Sequence, residues 1–172
     1  MNNLLKSLCA VLALNALIFP VVADEPTIPA NLWEQCRGGV AVALILKSRV
    51  EGGQQKNRLK VYIKNTSTAA KWLYLYDAAS RLRVYYIGSS GTVVPLRNYT
   101  DHDANMDDVV DFNAGPSSIG ANQTVEQSIE FTPEEWTIVT SHPIKCSFSI
   151  SDQKASQGYK IETTPRMLTV EH

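Results

Sequence analysis

Histidine and cysteine, from which most zinc sites and many catalytic centres are built, are scarce in this chain. Its 172 residues include three of each. A structural zinc site needs four ligands, and His142 is the only histidine near Cys36 or Cys146 in sequence. This scarcity argues against a zinc site formed around the two cysteines.

Common catalytic motifs are missing as well. The chain has no phosphate-binding glycine loop and no metalloprotease helix motif, and residues 115–120 miss the nucleophile-elbow spacing by one residue. We therefore expect a protein that is not an enzyme and acts by binding. A hydrolase with an unrecognised site that uses His102 or His142 is the third alternative, because catalytic triads are defined by geometry and not by sequence order.

The longest apolar stretch lies near the N-terminus. Residues 1–6 carry one positive charge, residues 8–22 form an apolar stretch, and Val21-Val22-Ala23 is a small-residue cleavage site. This is the pattern of a secretory signal peptide over residues 1–23, and its apolar part is too short for a membrane span. We predict that residues 24–172 form one periplasmic or secreted domain of a bacterial type, with no stable membrane anchor.

The predicted mature chain keeps two cysteines, Cys36 and Cys146. Because export delivers the chain to an oxidising compartment, we predict a disulfide between them. The alternative is two buried free thiols.

Apolar and polar residues alternate along the mature chain with the period of two that is typical of β-strands. Residues 59–64 and 144–150 show this alternation, whereas residues 40–46 are a continuous apolar run, which predicts a strand buried on both faces. A hairpin is predicted where residues 82–87 meet residues 92–96, because the glycines between them permit positive φ.

Helical signals are few. The capping-box sequence Thr132-Pro133-Glu134-Glu135 predicts a single turn through Trp136, and residues 29–35 are compatible with another short turn. We therefore predict an all-β fold, an antiparallel immunoglobulin-like β-sandwich of about seven to nine strands with one or two short helical turns.

Charge is segregated along the chain. Residues 37–97 contain eleven basic residues and only two acidic ones, Glu51 and Asp77, whereas residues 98–143 contain nine acidic residues and no lysine or arginine. One interpretation is a pair of oppositely charged surfaces that steer a charged partner. The alternative is local neutralisation, because strands distant in sequence become neighbours in a Greek-key fold.

A binding surface is predicted from aromatic and basic residues in two neighbouring strands: Trp72, Tyr74, Tyr76, Arg81, Arg83 and Tyr85. Exposed aromatic side chains are common anchors in protein and sugar recognition. If Leu73 and Leu75 point into the core, Trp72 faces outward, whereas a Trp72 in the core would remove the aromatic surface. Export argues against nucleic acid and favours an acidic protein surface or an anionic or cell-wall glycan.

An acidic loop follows at residues 101–108. Its alternate oxygen-bearing residues, Asp101, Asp103, Asn105 and Asp107, resemble the first half of a calcium loop. Met106 and Phe112 stand where that loop requires glycine and glutamate. We therefore expect a solvated loop and no cofactor, with calcium held by these four residues as the alternative.

Together these features predict an exported, non-enzymatic binding module. The expected role is an accessory, inhibitor or immunity-type protein that acts on another envelope or secreted protein through residues 72–86 and 97–113. The alternative is a carbohydrate- or cell-envelope-binding domain that stacks sugars on the aromatic side chains of Trp72, Tyr74 and Tyr76.

Overall fold

Two β-sheets pack against each other in the computed structural model, which describes residues 27–74, 82–97, 117–153 and 158–172. The predicted all-β sandwich is confirmed. The described residues form eleven strands, more than the seven to nine predicted. The excess consists of strands of two or three residues, which are too short to show an alternating pattern.

The first sheet has five strands: β1 (Glu34–Cys36), β2 (Val40–Glu51), β3 (Gln54–Asn65), β8 (Thr124–Glu130) and β11 (Val170–Glu171). The second sheet has six: β4 (Lys71–Tyr74), β5 (Arg83–Ile87), β6 (Val93–Pro95), β7 (Ser117–Ile119), β9 (Ile144–Ser151) and β10 (Tyr159–Glu162). The pairing of β5 with β6 confirms the predicted hairpin. All pairs of strands are antiparallel except that of β11 with β2.

A long hairpin forms the centre of the first sheet. Strands β2 and β3 pair over their full length, from Val40 opposite Asn65 to Glu51 opposite Gln54. Gly52 and Gly53 join them with φ values of 59° and 80°. A two-residue turn of this kind needs positive φ at both positions, which glycine adopts at no steric cost. Strand β8 lies along the other edge of β3, and β1 and β11 lie along the other edge of β2.

Strand β2 is buried on both faces, as predicted. One face contributes Val40, Val42, Leu44 and Leu46 to the core between the sheets. On the other face, Ala43 and Ile45 pack with Tyr62 beneath residues of the N-terminal segment: Ile28, Leu32 and Trp33. This segment includes a short 3-10 helix, Ala30–Leu32, within the predicted turn region.

Helix α1 (Pro133–Ser141) connects β8 to β9 and begins with the predicted capping box. The Thr132 hydroxyl accepts a hydrogen bond from Glu135 N at 3.2 Å, and the Glu135 carboxylate accepts one from Thr132 N at 2.9 Å. The helix continues past the predicted single turn because Val139 packs into the core, which outweighs its weak helix propensity. No helix within the described ranges has the length and apolarity to cross a membrane.

Asn65, at the end of β3, joins three parts of the fold. Its buried side-chain amide donates hydrogen bonds to the carbonyl groups of Ala69, Ile119 and Gly120 at 2.7, 3.0 and 3.1 Å. Its side-chain oxygen accepts hydrogen bonds from the backbone N and the hydroxyl group of Ser67. The side chain therefore fixes the loop after β3 against the turn between β7 and β8.

We expect the substitution Asn65→Ala to lower the free energy of unfolding by about 3 kcal/mol, because it leaves buried carbonyl groups without donors. Ser67→Ala, which removes one hydroxyl from the same loop, should cost about 1 kcal/mol. Urea unfolding followed by circular dichroism measures both. Equal losses in the two variants would contradict a central role for Asn65.

Candidate functional site

The second sheet is built on β9, whose residues alternate between two faces. The core-facing residues are Ile144, Cys146, Phe148 and Ile150. Because neighbouring residues of a strand point to opposite faces, the residues that face away from the core are Lys145, Ser147, Ser149 and Ser151. The face of the second sheet that carries these four residues is named the serine face.

Strands β4 and β5 lie end to end along one edge of β9. The backbone pairs are Trp72 with Ser151, Tyr74 with Ser149, Arg83 with Ser147 and Tyr85 with Lys145. Strand β10 pairs with residues 147–150 of β9, and an isolated bridge from Arg166 to Ile144 extends that pairing. Since a strand has only two edges, β10 occupies one edge of β9, and both β4 and β5 occupy the other.

Four predicted binding residues consequently share one row. Opposite residues of an antiparallel pair point to the same face, so Trp72, Arg83 and Tyr85 belong to the serine face. The register places Tyr74 at the remaining position of the row. Leu73 is in the core at 1% exposure, and Trp72 is half-buried on the opposite face. Trp72 is therefore not a core tryptophan.

Charged residues from β10 flank the other side of the serine face. Lys160 lies opposite Ser149, and Glu162 lies opposite Ser147. The Glu162 carboxylate accepts hydrogen bonds from Lys145 Nζ at 2.8 Å and from Lys160 Nζ at 2.5 Å, and these bonds lower its pKa to about 2. Glu162 thus remains ionised at ordinary pH, where Arg83, Lys145 and Lys160 together outnumber it.

The centre of the serine face is low and polar. Ser147 and Ser151 are 2% and 1% exposed although both point away from the core. The Ser151 hydroxyl donates to the backbone carbonyl of Gln153 at 2.7 Å. Of the three serines, only Ser149 is partly exposed, and together with the aromatic and cationic residues of this face it can contact a polar ligand by hydrogen bonds, stacking and charge.

Several predicted site residues lie outside the described residues. They are Tyr76 and Arg81 from the predicted binding surface, and Asp101, Asp103, Asn105 and Asp107 from the acidic loop. Within the described residues, no group of three or more histidine, cysteine, aspartate or glutamate residues is placed to hold a metal ion. The calcium alternative for the acidic loop stays a prediction.

The segregated charges neutralise each other across neighbouring strands. Lys56 and Arg58 of β3 contact Glu130 of β8 at 2.6 and 3.6 Å, and Lys60 contacts Glu126 at 2.6 Å. Further along the chain, Arg97 contacts Glu135 of α1 at 2.7 Å. Of the two interpretations of the charge pattern, the structure therefore supports local neutralisation for these pairs.

Cys36 and Cys146 are free thiols, so the predicted disulfide between them is absent from the structure. Cys36 lies in β1, where its thiol donates to the carbonyl groups of Glu34 and Glu162 at 3.8 and 3.9 Å. Cys146 is buried in β9 of the other sheet, and its backbone is hydrogen-bonded to Thr163. The chain at residues 162–163 therefore contacts both cysteines, and Cys36 bonds to that chain instead of to Cys146.

Lys71 forms a buried polar cluster that the alternating pattern did not reveal. Its side chain is only 6% exposed, and its ammonium group donates to the exposed Asp152 carboxylate and, at 3.4 Å, to the Tyr159 hydroxyl. Burial alone would lower the pKa of Lys71, but the hydrogen bonds to Asp152 and Tyr159 outweigh it and raise the pKa. The Tyr159 hydroxyl also lies 3.4 Å from the carbonyl oxygen of Gly38, where a larger residue would collide with the tyrosine ring.

His142, one of the two histidines considered for a catalytic triad, closes the C-terminal end of α1. Its Nδ1 lies 2.9 Å from the Ser141 hydroxyl and 3.1 Å from the Ile138 carbonyl oxygen, and its ring packs edge-on against Tyr86. The Ser141 hydroxyl itself donates to the carbonyl of Thr137 at 2.6 Å. These contacts give His142 a structural role at the helix end. His102 lies outside the described residues.

No protein-family model matches this chain, and no curated protein is similar to it by sequence. The functional argument therefore depends on the residues of the chain itself.

If Cys36 and Cys146 are free, alkylation in denaturant without reductant should modify both, as peptide mass mapping would show. In the native protein both should react slowly, because burial raises the pKa of Cys36 to about 11 and that of Cys146 to about 12, and the thiolate is the reactive form. If the two cysteines of the denatured protein were alkylated only after reduction, they would be joined in a disulfide, and the assignment as free thiols would be wrong.

The Lys71 cluster predicts an asymmetric response to mutation. Asp152→Ala leaves a buried ammonium group with a single partner and should lower the free energy of unfolding by about 3 kcal/mol. Lys71→Met removes that charge and leaves an exposed carboxylate, so it should change stability by less than about 1 kcal/mol. Chemical unfolding of the two variants tests this order, and an equal or larger loss for Lys71→Met would contradict it.

Proposed function

We propose that this protein is an exported, non-enzymatic binding module and that the serine face is its contact surface. The observation that carries the proposal is the row formed by Trp72, Arg83 and Tyr85 along one edge of β9. Tryptophan, tyrosine and arginine are the residue types enriched among the side chains that dominate binding energy at protein interfaces. The sequence pattern of residues 1–23 supports export.

The proposed partner is another envelope or secreted protein with an acidic surface. Among the described residues of the serine face, Lys145 and Lys160 outnumber Glu162, and complementary charge accelerates association and excludes wrong partners. An accessory, inhibitor or immunity-type role fits a small domain that presents one sheet face to a larger protein.

A second candidate is carbohydrate binding on the same face. It is favoured by the half-buried Ser149 on β9, which lies on the same face as Trp72. Hydroxyl groups can hydrogen-bond to sugar hydroxyls while an aromatic ring stacks on the sugar face. A neutral polysaccharide is the ligand class that this arrangement would accept.

The test uses residues 24–172 to recover a partner from an envelope extract, followed by affinity measurement with the purified partner. Trp72→Ala and Tyr85→Ala should each weaken binding about 30-fold, the effect of losing about 2 kcal/mol of interface energy. Lys160→Glu should weaken binding more at low than at high salt, because exposed charges are screened. Circular dichroism of each variant shows whether it remains folded.

Lys64→Glu is the matched control, since it reverses a charge on the outer side of the other sheet. If it reduces binding as much as Lys160→Glu, or if both aromatic variants bind normally, the serine face is not the contact surface. Retention of the protein on a neutral polysaccharide, with release by soluble sugar and loss in Trp72→Ala, would replace the protein partner with the carbohydrate alternative.

A further inference from the structure

Two pairs of like charges lie directly opposite each other on the first sheet. In the β2–β3 hairpin, Lys47 pairs with Arg58 and Arg49 pairs with Lys56. Their neighbours Leu46 and Leu59 point into the core, so these four cations point outward. Like charges directly opposite across a strand pair are destabilising. Nearby glutamates offset part of this repulsion, and the two pairs in succession place four cations side by side on one face of the hairpin.

Lys60 extends this group along β3. The five cations, named the basic cluster, are Lys47, Arg49, Lys56, Arg58 and Lys60, and together with Glu51 they line a shallow depression that is open to solvent. Side chains on one face of a strand recur about every 7 Å. Lys56, Arg58 and Lys60 thus follow one another over roughly 14 Å, which is longer than a single phosphate or sulfate ion can contact.

Glutamates at the edges of the basic cluster form ion pairs with its cations. Lys47 contacts Glu171 at 3.2 Å, Lys56 contacts Glu130 at 2.6 Å, and Arg58 contacts Glu51 through two hydrogen bonds of 2.9 Å. Exposed ion pairs of this kind contribute about 0–1 kcal/mol each. A phosphate or sulfate group can therefore displace a glutamate from these pairs at a small cost in free energy. Within the described residues, no ion pair is present at Arg49.

The hairpin also presents part of this cluster beyond the body of the sandwich. Residues 49–55 are exposed on both faces, including Val50 at 75%. At the base of this projection the Ser48 hydroxyl donates to Asn57 Oδ1 at 2.7 Å, and the Gln55 amide donates to Ser48 at 2.9 Å. The projection is therefore held in place at its base while Arg49, its one cation, stays accessible to a long ligand.

From these observations we propose that the basic cluster binds a polymer that carries phosphate or sulfate groups. Arginine can bind such groups through two parallel hydrogen bonds, and lysine binds them as a point charge. The row on β3 follows the polymer chain, while Lys47 and Arg49 contact it from β2. This site lies on the first sheet and does not depend on the function proposed for the serine face of the second.

Titration of residues 24–172 with dextran sulfate, polyphosphate, inorganic phosphate and uncharged dextran tests the proposal. The two polymers distinguish sulfate from phosphate as the preferred group, whereas inorganic phosphate and uncharged dextran should bind at least about 100-fold more weakly, because neither neutralises several cations at once. Affinity for the preferred polymer should fall as salt rises, with a log–log slope of about −2 to −4 for three to five neutralised charges.

The double substitution R49Q/K56Q removes one of the like-charge pairs. It should weaken polymer binding about tenfold or more and reduce the salt slope by about 1.5. Its thermal unfolding temperature should not fall, because the repulsion between the two cations is also removed. This combination separates lost binding from lost folding.

Arg37→Gln is the control, because Arg37 is an exposed cation near the opposite end of β2. Polymer binding should be unchanged in this variant. If Arg37→Gln and R49Q/K56Q lost polymer affinity equally, binding would depend on overall charge only, and the proposal would be overturned. So would an absence of binding to both charged polymers at low salt, or binding of inorganic phosphate as tight as that of the polymers. None of these results bears on the aromatic variants of the serine face.

Discussion

Antiparallel pairing along both edges of β9 is the constraint on which the second sheet depends. One edge is occupied by β10 and its extension to Arg166, and the other is shared by β4 and β5. As a result, Tyr74 and Arg83 are nine positions apart in the chain but face positions of β9 that are only two apart. The row of aromatic and basic residues on the serine face exists because β9 aligns these two strands.

The core could be predicted from the sequence because burial follows the strand period. Leu59, Val61 and Ile63 are all buried, and the apolar run 40–46 is buried on both of its faces. The pattern carries this information locally, since each strand reveals its own inner side. Helix α1 was harder to predict, because the burial of Val139 that extends it depends on packing with distant strands.

The candidate site could be predicted only in part. Trp72, Arg83 and Tyr85 were identified by residue type, but their alignment requires the register of both strands with β9, which no local pattern contains. Lys71 shares the inward face of Leu73, yet a charged residue at a strand end gives no sign of burial by itself. Its position is explained by Asp152, which is 81 residues away and follows the end of β9. The cysteine pair shows the same limitation. The number of cysteines and the expected oxidising compartment predict a disulfide, but they do not reveal that the Cys36 thiol contacts the carbonyl group of Glu162 instead.

The outward-facing polar residues of the two sheets are accommodated in different ways. On the first sheet, long charged side chains from β3 reach glutamates on β8, so cation and anion lie side by side. On the second, short serine side chains occupy the centre, and Glu162 pairs with the neighbouring Lys145 and Lys160. The surfaces point in opposite directions across a close-packed core, whose side chains leave little room for movement. The serine face and the basic cluster therefore lie on opposite sides of the sandwich, separated by the core.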